Sequence, residues 1–131
     1  MSSSLDSEEQ SLMVDPRLGE AIRLFNDQQW YACHDGFEEL WHETQGPIRK
    51  VLQGILQIAV AHHHLERGNQ RGAMVLLGEG LGRLQGQGPF ALGLQLEPLR
   101  AAARARLLAL HQATPLEALP LPRLICAQDL P

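Results

Sequence analysis

The sequence has few cysteines and aromatic residues and no long apolar run. Two cysteines, Cys33 and Cys126, occur among 131 residues, and they form neither a disulfide framework nor a metal-spaced pair, which fits a reducing compartment. No run approaches the roughly 20 apolar residues that span a bilayer. The start, MSSSLDSEEQSLMV, lacks the basic residues and apolar core of a signal peptide. These absences predict a soluble, cytoplasmic protein without a membrane partner.

Positive charge is also scarce. Eleven lysines and arginines stand against fifteen aspartates and glutamates, a formal net charge of -4, and no basic stripe of the kind that neutralises phosphates is visible. Arg100, Arg104 and Arg106 are close together, but Glu97 precedes them, and the pattern favours a solvated helix face. We therefore predict that the protein does not bind nucleic acid.

Helical periodicity of apolar residues begins near residue 15 and continues for about 100 residues. It predicts five helices, at about residues 16–27, 30–44, 47–67, 70–85 and 94–113. No strand-like alternation of apolar and polar residues appears. The predicted fold class is all-α: a compact bundle of about five helices, followed by an irregular, proline-rich C-terminal segment.

Turn and cap residues set the helix boundaries. Asp15 before Pro16 is typical of a helix start, Gly46 suits a left-handed position after a helix, and Gly68 followed by Asn69 suits an end and a new cap. The helix predicted at 70–85 contains four glycines, each costing about 1 kcal/mol relative to alanine. It is therefore either the weakest helix or closely packed through its small residues.

The same patterns predict how the chain is organised. Residues 1–14 are serine-rich and acidic and are expected to be disordered. Residues 15–113 are expected to form a single helical-bundle domain. Residues 114–131 contain several prolines, which cannot continue a helix, and are expected to be an extended tail that packs on the bundle.

The second predicted helix carries the first candidate functional residues, in the stretch YACHDGFEELW. At 100° per residue, His34 falls within an apolar face that includes Trp30, Phe37 and Trp41, and Glu38 falls at its edge. An unpaired carboxylate on an apolar face costs several kcal/mol. Glu38 is therefore expected to have a polar partner.

The third predicted helix is apolar around nearly its whole circumference, as expected of the central helix of a bundle. The exception is a lane that holds Gln53, Gln57 and His64. Lys50 lies near this lane, which favours the simpler alternative that the lane faces solvent. Both readings stay open from the spacing alone.

An antiparallel hairpin of these two helices would place their polar residues at matching heights. His34 and Gln57 are each about eleven residues from the turn, and Glu38 and Gln53 about seven, at about 1.5 Å of rise per residue. The hairpin predicts one internal network of these four polar side chains, if the side of the second helix that carries His34 and Glu38 faces the side of the third helix that carries Gln53 and Gln57.

The run of three histidines at 62–64 resembles a metal-binding tract. Consecutive helical residues point about 100° apart, however, so one of the three at most can face a given site. His64 is the candidate, because it would reach the start of the second helix, near Asn26. His62 and His63 are expected to be ordinary neighbours of the interhelical surface.

The stretches LFNDQQWYACHDGFEELW and GPIRKVLQGILQIAVAHHHLERGNQRGA together resemble the bacterial and archaeal family called domain of unknown function 309. The resemblance covers about residues 22–77 and implies a compact helical bundle without an established activity. The family's motifs match this sequence at Asn26, His34, Glu38, Trp41, Gly46, Gln53, Gln57, His64, Gly68, Asn69, Gly72 and Ala73. Asp35 stands where the family has glutamate, and Gly36 where it has an aliphatic residue.

These residues support three hypotheses of function. The favoured ones are a structural polar core or a module that binds a small ligand or a protein partner, since glutamine amides suit recognition; assembly into a homo-oligomer is compatible with either. The alternative is a metal-dependent hydrolase with Glu38 as base and His34 or His64 as acid or metal ligands, a divalent metal being the candidate cofactor. The candidate binding residues are His34, Glu38, Gln53, Gln57, His64, Asn26 and Trp41.

Overall fold

A computed structural model of the chain describes residues 6–129. In chain order, the helices are α1 (Ser7–Met13), α2 (Pro16–Asn26), α3 (Trp30–Glu43), α4 (Arg49–Glu66), α5 (Gln70–Leu84) and α6 (Leu96–Gln112). Three two-residue strands, β1 (Phe90–Ala91), β2 (Leu94–Gln95) and β3 (Ile125–Cys126), form an antiparallel sheet in the order β1-β2-β3. A single 3-10 turn follows at Ala127–Asp129. The predicted all-α class is confirmed.

The helix starts have the predicted chemistry. The Asp15 carboxylate accepts a hydrogen bond from the Arg17 N–H at 2.9 Å, with Pro16 in the first turn. The Asn69 side chain caps α5 by accepting from the Gly72 N–H at 2.9 Å. Gly68 takes the left-handed conformation, φ +77°, that ends α4. These bonds satisfy backbone N–H groups that the helix itself leaves unpaired.

The core is a continuous apolar cluster with α4 at its centre. Nine of the eighteen residues of α4 are buried, and α4 packs between α3 and α5. The α4–α5 contact is very close, because a Cβ added at Gly54 would lie 3.0 Å from the Gly80 carbonyl oxygen, and one at Gly80 would lie 2.8 Å from the Gly54 oxygen. Small residues in α5 therefore allow the two backbones to touch. No helix within residues 6–129 is long and apolar enough to cross a membrane.

Two features differ from the sequence predictions. Residues 7–13, part of the predicted disordered tail, form α1, with the Asp6 carboxylate accepting from the Glu9 N–H at 2.7 Å and Leu12 buried; residues 1–5 lie outside the described residues. The small sheet was not predicted either. Strands of two residues are too short to show a periodic pattern, and their pairing joins segments about 30 residues apart.

The C-terminal segment lies against the bundle through a few buried side chains. Pro122 and Leu124 are almost fully buried, and Leu116 packs on the core. β3 pairs with β2, which brings Cys126 opposite Leu94. The segment has little regular secondary structure of its own, as expected of its prolines.

Candidate functional site

His34 and Glu38 lie one turn apart on α3, at a surface formed with α4. The His34 Nε2 atom is 3.7 Å from the Glu38 Oε1 atom, and the side chains are 26% and 43% exposed. His34 Nδ1 comes within 3.3 Å of Asp35 Oδ1, but outside hydrogen-bond geometry, so this solvent-shielded nitrogen has no hydrogen-bond partner. Glu38 is thus partly exposed to solvent and does not point into the interior.

The predicted partners of this pair on α4 have other contacts. The Gln57 amide donates to the Glu79 carboxylate of α5 at 2.9 Å. His64 Nδ1 lies 3.3 Å from the Asn69 amide nitrogen. Gln53 lines a separate surface pocket beside Lys50. Among residues 6–129, no hydrogen bond joins these three side chains to His34 or Glu38, so the predicted network is dispersed.

The remaining two predicted residues contact other parts of the chain. The Asn26 amide donates to the Leu124 carbonyl at 2.9 Å and accepts from the Leu124 N–H at 2.8 Å. The Trp41 ring lies under the Arg49 guanidinium, 4.0 Å from the ring centroid, and Arg49 Nε also donates to the Trp41 carbonyl at 3.2 Å. Asn26 therefore holds the C-terminal segment, and Trp41 holds the start of α4.

The metal-ligand prediction has little geometric support. His34 and Glu38 are neighbours, whereas His64 is turned toward Asn69. Within residues 6–129, no group of three or more histidine, cysteine, aspartate or glutamate side chains is arranged to hold a metal ion. The candidate ligands His34, Glu38 and His64 thus do not converge.

A small apolar pocket of about 80 Å³ opens beside His34. Its walls come from α3 and α4, and are formed by Trp30, Tyr31, His34, Val60 and His63. Tyr31 stacks on His34 with ring centroids 6.1 Å apart and lies 5.3 Å from the His63 ring. Tyr31 is nonetheless 64% exposed. Aromatic rings therefore surround a cavity that a small side-chain end can enter.

Two acidic side chains lie beside His34, which forms one wall of this pocket. The Asp35 and Glu38 carboxylates flank His34, and neither has a lysine or arginine within ion-pair distance in the part of the chain that the structure describes. The neighbouring Glu39, in contrast, is paired with Arg17 at 2.8 Å. Two carboxylates beside His34 thus have no basic partner among the described residues.

The sequence prediction missed the most strongly buried histidine. His62 is 2% exposed, and its ring lies 4.9 Å from the Trp30 ring. Its Nδ1–H donates to the Ile58 carbonyl at 2.8 Å, while Nε2 has no partner. Burial lowers the pKa of His62 to about 4, the Ile58 bond opposes this change, and the positive charge of Arg106 adds to it. His62 thus packs between helices, and the sequence pattern did not show how completely it is buried.

The arginines of α6 were also mispredicted as a solvated face. Arg100 and Arg106 are buried, whereas Arg104 is about half exposed. Arg100 donates to the carbonyl oxygens of Leu84 and Gly88, each at 2.9 Å. The two buried guanidinium groups therefore donate to backbone carbonyls at the end of α5, in the loop after it and in the C-terminal segment.

A second, larger groove of about 710 Å³ lies between α2 and the C-terminal segment. Its apolar lining includes Met13, Leu18 and Ile22, and its far wall is the segment 123–129. Asn26 reaches this wall, where its amide donates one hydrogen bond to Leu124 and accepts another from it. The groove also has polar walls, because Arg123, Gln128 and Asp129 line it.

The fold and the pocket together define a small helical-bundle protein with an aromatic pocket between two helices, and two carboxylates lie beside the His34 wall of that pocket. Residues 18–76 match the family model described as domain of unknown function (DUF309). The matched region contains most of α2, all of α3 and α4 and part of α5, and so all of the pocket residues. The resemblance predicted from the sequence motifs is confirmed. No curated protein sequence matches the chain.

Proposed function

We propose that the protein is a binding module that recognises a basic side chain of a protein partner at the pocket between α3 and α4. The observation that carries this proposal is the pair of carboxylates, Asp35 and Glu38, without a basic partner in the described residues, beside a pocket walled by aromatic rings. Aromatic faces and carboxylates both favour a cation.

The pocket contacts the two parts of an incoming basic side chain, its aliphatic stem and its charged end, at different places. The aliphatic stem of a lysine or arginine enters the apolar cavity and contacts Tyr31 and Val60, which line it. The charged end remains at the rim, near Glu38, which is 43% exposed. The face of the Tyr31 ring contributes a cation–π interaction, worth about 0.5–1 kcal/mol at an exposed site.

The hydrolase hypothesis is less well supported by the same geometry. The His34–Glu38 separation of 3.7 Å exceeds hydrogen-bond distance, and His64 does not approach the pair. A general base needs a defined proton to abstract, and the pocket offers a recess for an apolar stem instead. Binding is therefore the function that we propose.

The test is an NMR titration of the full chain with N-acetyl-lysine methylamide. We expect saturable shifts at Tyr31, His34 and Val60, with a dissociation constant of about 1–10 mM, or 3–4 kcal/mol. The norleucine analogue has a similar stem without the charge, and we expect it to bind at least about tenfold more weakly. Equal binding of the two analogues, or no localised shifts, would contradict the proposal.

Charge-neutralising variants provide the control. Asp35→Asn and Glu38→Gln together should weaken lysine binding and leave norleucine binding unchanged, because they remove charge and keep shape. Glu117→Gln is the matched control, since Glu117 is an exposed glutamate in the C-terminal segment, far along the chain from the pocket. It should leave both titrations unchanged.

A further inference from the structure

Helix α1 contacts the rest of the molecule through carboxylates that accept from backbone amides. Glu8 Oε2 accepts from the Gln45 N–H at 2.9 Å, and Glu8 Oε1 accepts from the Gly46 N–H at 2.7 Å. Glu9 Oε2 accepts from the Leu92 N–H at 2.8 Å. The two consecutive amides at 45–46 thus hold one carboxylate by both of its oxygens, an arrangement typical of an anion-binding backbone turn.

The absence of a side chain at position 46 makes this contact possible. A Cβ added at Gly46 would lie 2.7 Å from Glu8 Oε1, too close for the carboxylate to stay. The φ angle of Gly46 is not positive. Gly46 therefore does not have the left-handed conformation that the sequence predicted. Its role is to leave space for an oxygen atom at the turn.

Two basic side chains lie next to the same turn. A pocket of about 370 Å³ shares Gly46 and is also lined by Arg49, Lys50, Gln53 and Gln87. Within residues 6–129, no carboxylate comes within ion-pair distance of Arg49 or Lys50. The turn also leads directly into α4, whose amino end carries a partial positive charge. The amides, the two cations and the glutamine amides all favour an anion.

We propose that the turn at residues 45–50 is a binding site for an oxyanion, the phosphate group of a small molecule, and that Glu8 occupies it in the free protein. A phosphate monoester carries more charge than a carboxylate and has an additional acceptor oxygen. With two oxygens on the Gln45 and Gly46 amides, the third faces the pocket that Lys50 lines. Helix α1 therefore acts as an internal competitor for the phosphate.

Inorganic phosphate is the probe, titrated into the full chain in phosphate-free buffer. The amide signals of Gln45 and Gly46 report binding. In Glu8→Ala, which removes the competing carboxylate, we expect phosphate to bind at least about tenfold more tightly than in the wild type, or about 1.4 kcal/mol. Lys50→Ala in the same background should weaken binding several-fold. Unchanged affinity in Glu8→Ala, or amides that do not respond, would overturn the proposal.

Three further variants separate competition from simpler effects. Glu117→Ala changes the net charge equally at a distant exposed position and should leave phosphate binding at the wild-type value. Glu8→Gln keeps the side-chain shape and should also tighten binding; it provides the same test if Glu8→Ala folds poorly. In the Glu8→Ala background, Gly46→Ala should abolish binding, because its Cβ takes the space of the bound oxygen. Phosphate binding that survives Gly46→Ala would place the phosphate elsewhere.

Discussion

The α4–α5 hairpin and the C-terminal segment 114–129 are attached to the molecule by different kinds of contact. The hairpin helices meet through apolar and small residues, with the backbones touching at Gly54 and Gly80. The C-terminal segment buries a few apolar side chains, but polar side chains of the bundle also bond its backbone: Asn26 holds Leu124 by two hydrogen bonds, and Arg106 donates to two carbonyl groups.

The difference follows from where each region obtains its backbone hydrogen bonds. A helix satisfies its own N–H and C=O groups, so its side chains are free to pack. A segment with prolines and little regular structure has backbone groups that need partners when they are buried. Here the bundle supplies them: the Asn26 amide pairs with both polar groups of Leu124 as a neighbouring strand would. A few polar side chains thus determine where the segment lies.

The largest expected effect concerns His62, which lies where the bundle core meets Arg106. In the unfolded chain His62 binds a proton below about pH 6.5, and in the folded protein only below about 4. Its contribution to stability is therefore complete above about pH 6.5 and is lost as pH falls to about 4. The loss is roughly 3 kcal/mol by pH 4. Urea denaturation at pH 7 and pH 4 measures it.

Two variants identify His62 as the source of this loss. His62→Gln cannot take up the proton, so its stability should fall by roughly 3 kcal/mol less than that of the wild type between the two pH values. His111→Gln alters an exposed histidine of α6 and should behave as the wild type does. An unchanged pH dependence in His62→Gln would show that other groups cause the loss.

A smaller effect tests the hairpin contact by comparing two glycines of α5. Gly80→Ala places a Cβ 2.8 Å from the Gly54 carbonyl oxygen, and separating the helices should cost about 2 kcal/mol. Gly82→Ala meets nothing within 4 Å and should stabilise the protein by about 0.5–1 kcal/mol. Denaturant midpoints at neutral pH measure both changes. A stabilising Gly80→Ala would mean that the backbones are not in contact there.

The helical region was predictable because its signals are local. The caps at Asp15 and Asn69 and the periodic apolar residues define α2 to α6 to within about two residues of the structure. For the glycine-rich helix α5, the sequence left two alternatives, a weak helix or close packing through its small residues. The structure shows close packing. In contrast, α1 depends on amides supplied by residues 45, 46 and 92, which no local pattern reveals.

The candidate site was only partly predictable for the same reason. Neighbouring residues of one helix, His34 and Glu38, are at the predicted spacing, but the partners across the hairpin depend on the rotation of α4. Close contact with α5 turns Gln57 toward Glu79 and His62 into the core. Equal height along two helices fixes a distance along the axis and not the direction in which a side chain points.

The smallest expected effect tests the attachment of the C-terminal segment. Asn26→Ala leaves both polar groups of Leu124 without their partner, which should cost about 1–2 kcal/mol, mainly in opening of the segment. At about 1.4 kcal/mol per factor of ten, trypsin cleavage after the exposed Arg123 should quicken roughly tenfold. Asn69→Ala removes a helix cap of similar worth on α5 and should leave this cleavage rate unchanged. If both variants are cleaved equally fast, the segment opens only with the whole bundle, and the two regions are then one cooperative unit despite their different contacts.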